Sequence, residues 1–225
     1  MSSSIRDVVV GRHSLVWRKL EPRLRALGRE VQAIGHDEVN SHQFGPQDRV
    51  WILSYSRRDE DNAVLLRALE QSKAGELVYV SSSSAIVASR TDCYEYPKAK
   101  WLAERRALQI DRALVLTIGL MYESPSELPA GDMVATSYDE LARFFVELDW
   151  GANPEGRVRR LFNVVRREMP RAIERIAYRC YGSLMAWTGR FPCVLRPLDL
   201  ALRMLGCRWY GYTYLSNKLW TSTTL

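Results

Sequence analysis

Along the first half of the chain, short runs of consecutive apolar residues alternate with stretches in which apolar residues recur every three or four positions. The runs Asp7–Gly11, Glu30–Ile34, Arg49–Leu53, Glu76–Val80 and Ala113–Thr117 are rich in Val, Ile and Leu and predict strands. Between them, amphipathic stretches predict helices after the first strand through about Ala26, then over Asn62–Gln71, Tyr96–Leu108 and Ser137–Leu148. Strands separated by helices pair in parallel, because a parallel pair needs a crossover long enough to hold a helix. A last strand is expected at Arg160–Val165, followed by helices near Arg171–Trp187 and Pro197–Leu205. The pattern thus predicts an α/β sheet domain over residues 1–165 and a small, mostly helical C-terminal extension over 166–225. No internal repeat is visible, and Ser81–Ser84 is the one low-complexity run.

Composition changes this picture mainly at the C-terminus. With 225 residues, 47% hydrophobic and 26% charged, the chain has the make-up of a folded domain. The net charge of +6 is uneven: from Arg157 onward there are 13 Lys/Arg and 3 Asp/Glu, so that stretch carries +10 and the remainder −4. In the same stretch Arg171, Arg175, Arg179, Arg190, Arg196, Arg203 and Arg208 interleave with Trp187, Trp209, Tyr210, Tyr212, Tyr214 and Trp220. Arginine among aromatic residues suits an anionic membrane surface or stacking on nucleotides; a solvated helix face is the plainer alternative. Nucleic acid is not expected as a partner, since no recognition motif accompanies the charge.

Cys93, Cys180, Cys193 and Cys207 form no CxxC pair and no metal-ligand spacing, which points to reduced thiols and no metal. The opening MSSSIRDVVVGRHS lacks a signal-peptide core, and no stretch approaches the ~20 apolar residues of a membrane span. The expected location is cytoplasmic, with a peripheral contact at the inner face of a membrane through the basic C-terminal lobe.

The candidate chemistry centres on Tyr96 and Lys100, a YxxxK pair whose side chains share one face of the predicted helix. A tyrosine hydroxyl with a pKa near ~10 is a poor base at neutral pH, and a neighbouring ammonium favours its phenolate. Tyr94 and Lys98 make an overlapping copy; Tyr96 is preferred because Pro97 then falls in the first helical turn, where a missing N–H costs little. The strand ending at Val80 runs into Ser81–Ser84, which places hydroxyls at the carboxyl end of a parallel strand, where open α/β sheets bind ligands.

The segments VYVSSSSAIV and EYPKAKWLAE, including Glu104 four residues after the lysine, resemble the serine strand and the Tyr/Lys helix of the extended short-chain dehydrogenases/reductases of the nucleotide-sugar epimerase/dehydratase kind. Residues 117–122, 137–142 and 161–163 are similar to later segments of that family, so the resemblance runs from about Ile5 to Val165. It implies a Rossmann-type parallel sheet flanked by helices. By it, Tyr96 is the general acid/base, Lys100 holds the nicotinamide ribose and tunes the tyrosine, and Ser83 or Ser84 bonds the reacting oxygen. The implied cofactor is NAD or NADP, and the implied substrate a nucleotide-linked or lipid-linked sugar or glycan precursor; a homodimer is the expected assembly.

The family's glycine motif is degenerate. Gly11, Ser14 and Trp17 stand where GxxGxxG is usual, so the first glycine survives while an indole occupies the place of close helix–strand packing. The indole has to displace the helix, fill pyrophosphate space or turn outward. After the second strand come Gly35, His36 and Asp37 instead of a terminal carboxylate, and Arg12 with His36 offers an alternative contact for a 2′-phosphate. Ser54-Tyr55-Ser56 follow the third strand beside the expected nicotinamide, with Tyr55 crowding it, and Asn62 reads as a helix cap. The cofactor-binding set is therefore Gly11, Arg12, Ser14, His36, Asp37, Ser54 and Lys100, with weak binding expected. A catalytically eroded pseudoenzyme, acting as a scaffold or regulator, is the competing reading.

Overall fold

The computed structural model describes residues 5–54, 56–149, 156–168, 172–181, 183, 187, 191–204 and 209–223. Two compact units share the chain, and neither is continuous in sequence. The first takes residues 1–81, 102–117 and 137–161; the second takes 82–101, 118–136 and 162–225.

In the first unit, β1 (Arg6–Val10), β2 (Gln32–Ile34), β3 (Asp48–Ile52), β4 (Glu76–Ser82), β5 (Ala113–Ile118) and β8 (Val158–Leu161) form a sheet in the order β2-β1-β3-β4-β5-β8. The β1–β2, β1–β3 and β3–β4 pairs are parallel. β1 is therefore an interior strand, and the crossovers from it run in opposite directions, which puts a topological switch point between β1 and β3. The helices α1 (Leu15–Ala26), α2 (Asp59–Gln71), α3 (Glu95–Ala107) and α4 (Tyr138–Glu147) complete the alternation, α3 belonging to this unit from Leu102 on. Val8, Val10, Val50, Ile52, Leu77 and Val115 carry the sheet's share of a core that Leu65, Leu66, Leu69 and Ala107 close from the helices. Trp51 stacks on Phe145 of α4 at 4.0 Å, and its indole donates to the buried Asp7 carboxylate at 3.0 Å, so the one polar atom of this ring is satisfied inside the core.

The second unit holds a smaller sheet in the order β6-β7-β9, from Leu120–Tyr122, Gly131–Ser137 and Asn163–Arg167. Around it lie the 3₁₀ turn Ser83–Ser89, the first part of α3, and the C-terminal helices α5 (Ala172–Ile176), α6 (Pro192–Met204) and α7 (Gly211–Thr223). Val87, Tyr94, Met133, Leu195, Tyr214 and Leu215 form its core. No helix among the described residues is long and apolar enough to cross a membrane.

The α/β alternation, the parallel sheet and the flanking helices are those expected from the apolar pattern, with four corrections. The run read as one strand at Arg160–Val165 is two: β8 ends at Leu161 in one sheet, and β9 starts at Asn163 in the other. Asn62 does not cap α2, which begins at Asp59; its buried amide instead accepts from the Ser56 N–H at 2.9 Å and donates to the Ser56 carbonyl at 2.8 Å, clamping the loop after β3. The helix expected over Arg171–Trp187 is α5 followed by a π-helical turn, Ala177–Tyr181, with much of the rest outside the described residues. Finally, α7 lies where no helix was expected, because its run of Tyr, Thr, Ser and Asn carries weak helical propensity.

Gly119, between β5 and β6, allows a close approach in the second unit: a Cβ there would lie 2.6 Å from Ala135 Cα, while the Gly119 N–H donates to Thr136 Oγ1 at 2.8 Å. Gly119→Ala is expected to destabilise the protein by about 1–3 kcal/mol, as overpacking against backbone does. Urea denaturation measures this, and an unchanged midpoint would mean that the approach is looser than described.

Candidate active site

The serines, Tyr96 and Lys100 are positioned by the second unit. Because successive strand residues point to opposite faces, Ser81 and Ser82 diverge at the end of β4. Ser81 stays buried, its hydroxyl 3.5 Å from Glu104 within the first unit. Ser82, extended at φ −126°, caps the 3₁₀ turn by accepting from the Ser84 N–H at 3.3 Å. The Ser82 and Ser84 hydroxyls share a hydrogen bond of 2.9 Å, and the Ser82 side chain also hydrogen-bonds the Tyr96 phenol. The result is a continuous line of hydroxyls, Tyr96–Ser82–Ser84. The Ser83 side chain is buried, and its carbonyl accepts from the Trp220 indole at 2.8 Å.

Lys100 follows Tyr96 by one turn on the same helix and is only 6% exposed. The overlapping pair falls apart: Tyr94 precedes α3 and is buried in the core, whereas Lys98 is exposed and 3.9 Å from Asp92. Burial pushes the Tyr96 phenol above its ordinary value, and the Ser82 hydrogen bond offsets only part of that rise. A phenol so held keeps its proton and is suited to donating it.

The expected cofactor residues surround the carboxyl ends of β1 and β3 in the first unit. Gly11 has φ +121°, and a Cβ on it would lie 2.8 Å from the Ser54 backbone nitrogen, so glycine is required by conformation and by space. The Gly11 and Arg12 N–H groups both donate to the Ile34 carbonyl, at 3.0 and 3.1 Å. Ser14 caps α1, accepting from the Trp17 N–H at 3.1 Å, which satisfies one of the donors that a helix start otherwise offers to phosphate. Trp17 turns inward and is 3% exposed, buried on the same helix face as Leu20 and Leu24; the outward orientation does not occur. His36 Nδ1 and the Ser54 hydroxyl bond each other at 3.0 Å, and Asp37 is exposed. Tyr55 lies outside the described residues.

Two residues near these sites were not singled out from the sequence. Glu38 accepts from the Gly35 N–H at 2.7 Å and pairs with Arg12 at 2.9 Å; the first contact above all holds its carboxyl below the usual range. A glycine with an acid three residues later is the signal of such a turn cap. Ser82, the partner of Tyr96, was passed over because β4 runs two residues beyond its apolar run, through Ser82. Among the described residues, no cluster of His, Cys, Asp or Glu could hold a metal.

No family model matches the sequence, and no curated protein matches it. Solved structures do share the fold. An NAD-dependent NDP-hexosamine 5,6-dehydratase, TunA, of tunicamycin biosynthesis superposes with a TM-score of 0.53 at 13% identity, over 72% of this chain and 77% of that one. A UDP-N-acetylglucosamine 4-epimerase from Bacillus cereus gives 0.53 at 11%, over 72% and 80%. A short-chain dehydrogenase/reductase superfamily protein from Agrobacterium tumefaciens with bound NAD gives 0.54 at 13%, over 70% and 77%. This chain therefore has the Rossmann-type fold of short-chain dehydrogenase/reductase proteins.

Tyr94, Tyr96 and Tyr178, all in the second unit, have phenols that burial raises above the ordinary value of about 10. An acid raised by folding loses its proton more readily in the unfolded chain. Its contribution to stability is thus intact below about pH 10 and is lost progressively as the pH climbs above that value. Spectrophotometric titration is expected to show a late, cooperative phenolate step that coincides with the loss of folded circular dichroism. Ordinary titration of every tyrosine in the folded protein would contradict this.

Proposed function

We propose that this chain is an NAD(P)-dependent oxidoreductase of the epimerase, dehydratase or reductase kind, acting on a nucleotide-linked or lipid-linked sugar. The observation that carries the reading is the hydroxyl line from Tyr96 through Ser82 to Ser84, with Lys100 buried one turn along the same helix. The fold shared with nucleotide-sugar enzymes supports it. A dinucleotide would meet the turn after β1 at the start of α1, where Leu15 and Val16 open a helix whose first N–H groups lack intrahelical acceptors; the space beside Gly11 is taken by the Ser54 backbone. Within the first unit, Gly11, Ser14, His36, Asp37 and Ser54 would hold the nucleotide. When bound, the nicotinamide supplies or takes up a hydride at a sugar carbon.

A protonated phenol suits the reductive direction. Tyr96 would donate its proton to the carbonyl oxygen of a keto-sugar, and the resulting phenolate, stabilised by the Ser82 hydroxyl, would take a proton back from water after product leaves. Ser84, the hydroxyl beyond Ser82, would bond the same oxygen.

Cofactor affinity is expected to be low, about ten-fold or more below an intact glycine motif, or ~1.4 kcal/mol. Ser14 already takes one helix-start N–H, and Arg12 is engaged by Glu38. Calorimetric titration with NADH and NADPH tests this. Trp17→Gly should tighten binding if α1 relaxes inward, at a stability cost of about 3–5 kcal/mol for the lost core side chain. Tyr96→Phe should retain cofactor binding and abolish turnover of a keto-sugar; surviving turnover would overturn the assignment of Tyr96.

The same internally satisfied donors favour a second reading, in which the chain is an eroded scaffold at a membrane surface. Leu200 and Met204 are exposed on α6, opposite Leu195, Leu198 and Leu202, which join the core, and Phe191 and Val194 are exposed at its start. The exposed Arg203 lies 4.2 Å over Tyr210, an arrangement suited to a lipid headgroup layer. Under this reading neither dinucleotide binds, and the protein sediments with vesicles containing phosphatidylglycerol but not with pure phosphatidylcholine. Leu200→Glu with Met204→Glu should release it; failure to sediment with either vesicle would remove the membrane reading.

A further inference from the structure

We propose that the C-terminal helix α7 is a working part of the proton-transfer site, with Tyr212 and Trp220 as positioning residues for Tyr96 and the serine turn. The proposal rests on the reading of Tyr96 as the proton donor and concerns a segment beyond the reach of the family resemblance.

One of these side chains packs on Tyr96, and the other bonds the backbone of the serine turn. The Tyr212 ring lies 5.9 Å from that of Tyr96, tilted by 33°, and 5.3 Å edge-on from Tyr94. Tyr210 stacks on Tyr212 at 5.6 Å, and the Arg203 guanidinium lies 4.2 Å over Tyr210, so a row of rings and one cation backs the Tyr96 phenyl group. Trp220 follows Tyr212 by eight residues, which returns it to the same helix face about 12 Å along the axis. Ser216, midway between them on that face, is buried. The Trp220 indole donates to the Ser83 carbonyl at 2.8 Å and packs against Phe162 at 5.1 Å. Ser83 is the residue between Ser82 and Ser84, so fixing its carbonyl fixes the peptides that carry both hydroxyls.

The helix is itself anchored midway. The buried Asn217 amide accepts from the Val134 N–H at 2.6 Å and donates to the Asp132 carbonyl at 2.5 Å. α7 therefore cannot slide along its axis without breaking both bonds, and its two positioning contacts are set together.

These contacts act on the Tyr96 phenol with opposite sign. Tyr212 excludes water from the ring and so disfavours the phenolate; the Trp220 bond keeps the serine turn where Ser82 can donate to the phenolate and favour it. In protein carrying Tyr labelled with ¹³C at Cζ, the Tyr96 resonance can be assigned by its loss in Tyr96→Phe and followed against pH. Tyr212→Ala should move the Tyr96 ionisation to lower pH, and Trp220→Phe to higher pH, whereas Tyr212→Phe, which keeps the ring, should leave it in place. Tyr212→Leu serves if the alanine variant does not fold. With a keto-sugar and reduced dinucleotide, Trp220→Phe should lower kcat by about ten- to a hundred-fold, the scale of small misplacements, with little change in KM.

If the resonance stays put in both Tyr212→Ala and Trp220→Phe, or moves the same way in both, α7 is packing only and the proposal fails. If the opposite shifts are seen but no variant, nor the parent protein, turns over substrate, the positioning holds and the enzymatic reading is what fails.

Discussion

At the carboxyl ends of β1 and β3 two backbones come so close that a methyl group on residue 11 would lie 2.8 Å from the Ser54 nitrogen. Much of the first unit follows from that approach. It lets the Ser54 N–H reach the Val10 carbonyl at 3.0 Å, and the Gly11 and Arg12 N–H groups reach Ile34, so that β2, β1 and β3 stay tied beyond their last paired residues. It also fixes where α1 begins, because Ser14 donates its N–H to the Gly11 carbonyl at 2.8 Å before capping the helix. The second unit repeats the device with Gly119 against Ala135. In both cases the absence of a side chain, rather than any attractive contact, sets the local path of the chain.

The turn after β1 shows a trade between folding and binding. A helix start can give its N–H groups to a ligand or to the protein itself. Here Ser14 takes one of them, and Glu38 ties Arg12 to the turn that follows β2. Each bond stabilises the free protein and has to be loosened or worked around by an incoming anion, so stability and affinity draw on the same donors. In the second unit, by contrast, the Tyr96, Ser82 and Ser84 hydroxyls bond one another in a line.

Much of the fold was legible in the apolar pattern, because buried strands of a parallel sheet are nearly continuous runs of Val, Ile and Leu. β1, β3, β4 and β5 begin and end within about two residues of their expected bounds. That Tyr96 and Lys100 share one helix was legible from their spacing, whereas which serine hydroxyl bonds the Tyr96 phenol was not, since four identical residues carry no register. The break at Phe162 was hidden because Arg160–Val165 reads as one β-rich run and nothing local marks a change of sheet. Likewise Trp17 could be placed at a glycine position but not oriented: its burial depends on the face shared with Leu20 and Leu24. The contacts of α7 were out of reach, because Asn217 and Trp220 bond backbone atoms 83 and 137 residues away in sequence.

Asn217 also bears on how the small sheet avoids unwanted partners. β6 is three residues long and β7 is seven, so β7 outruns its neighbour. Over part of the difference the Asn217 amide presents one acceptor and one donor to β7, as a single residue of an adjoining strand would. A stretch of backbone that would otherwise serve as a template for strand addition is occupied by a side chain that cannot itself propagate a ladder. The helix that carries Asn217 therefore acts as a terminator for the sheet, and a chain lacking its last turns would present a sticky edge to other copies of itself.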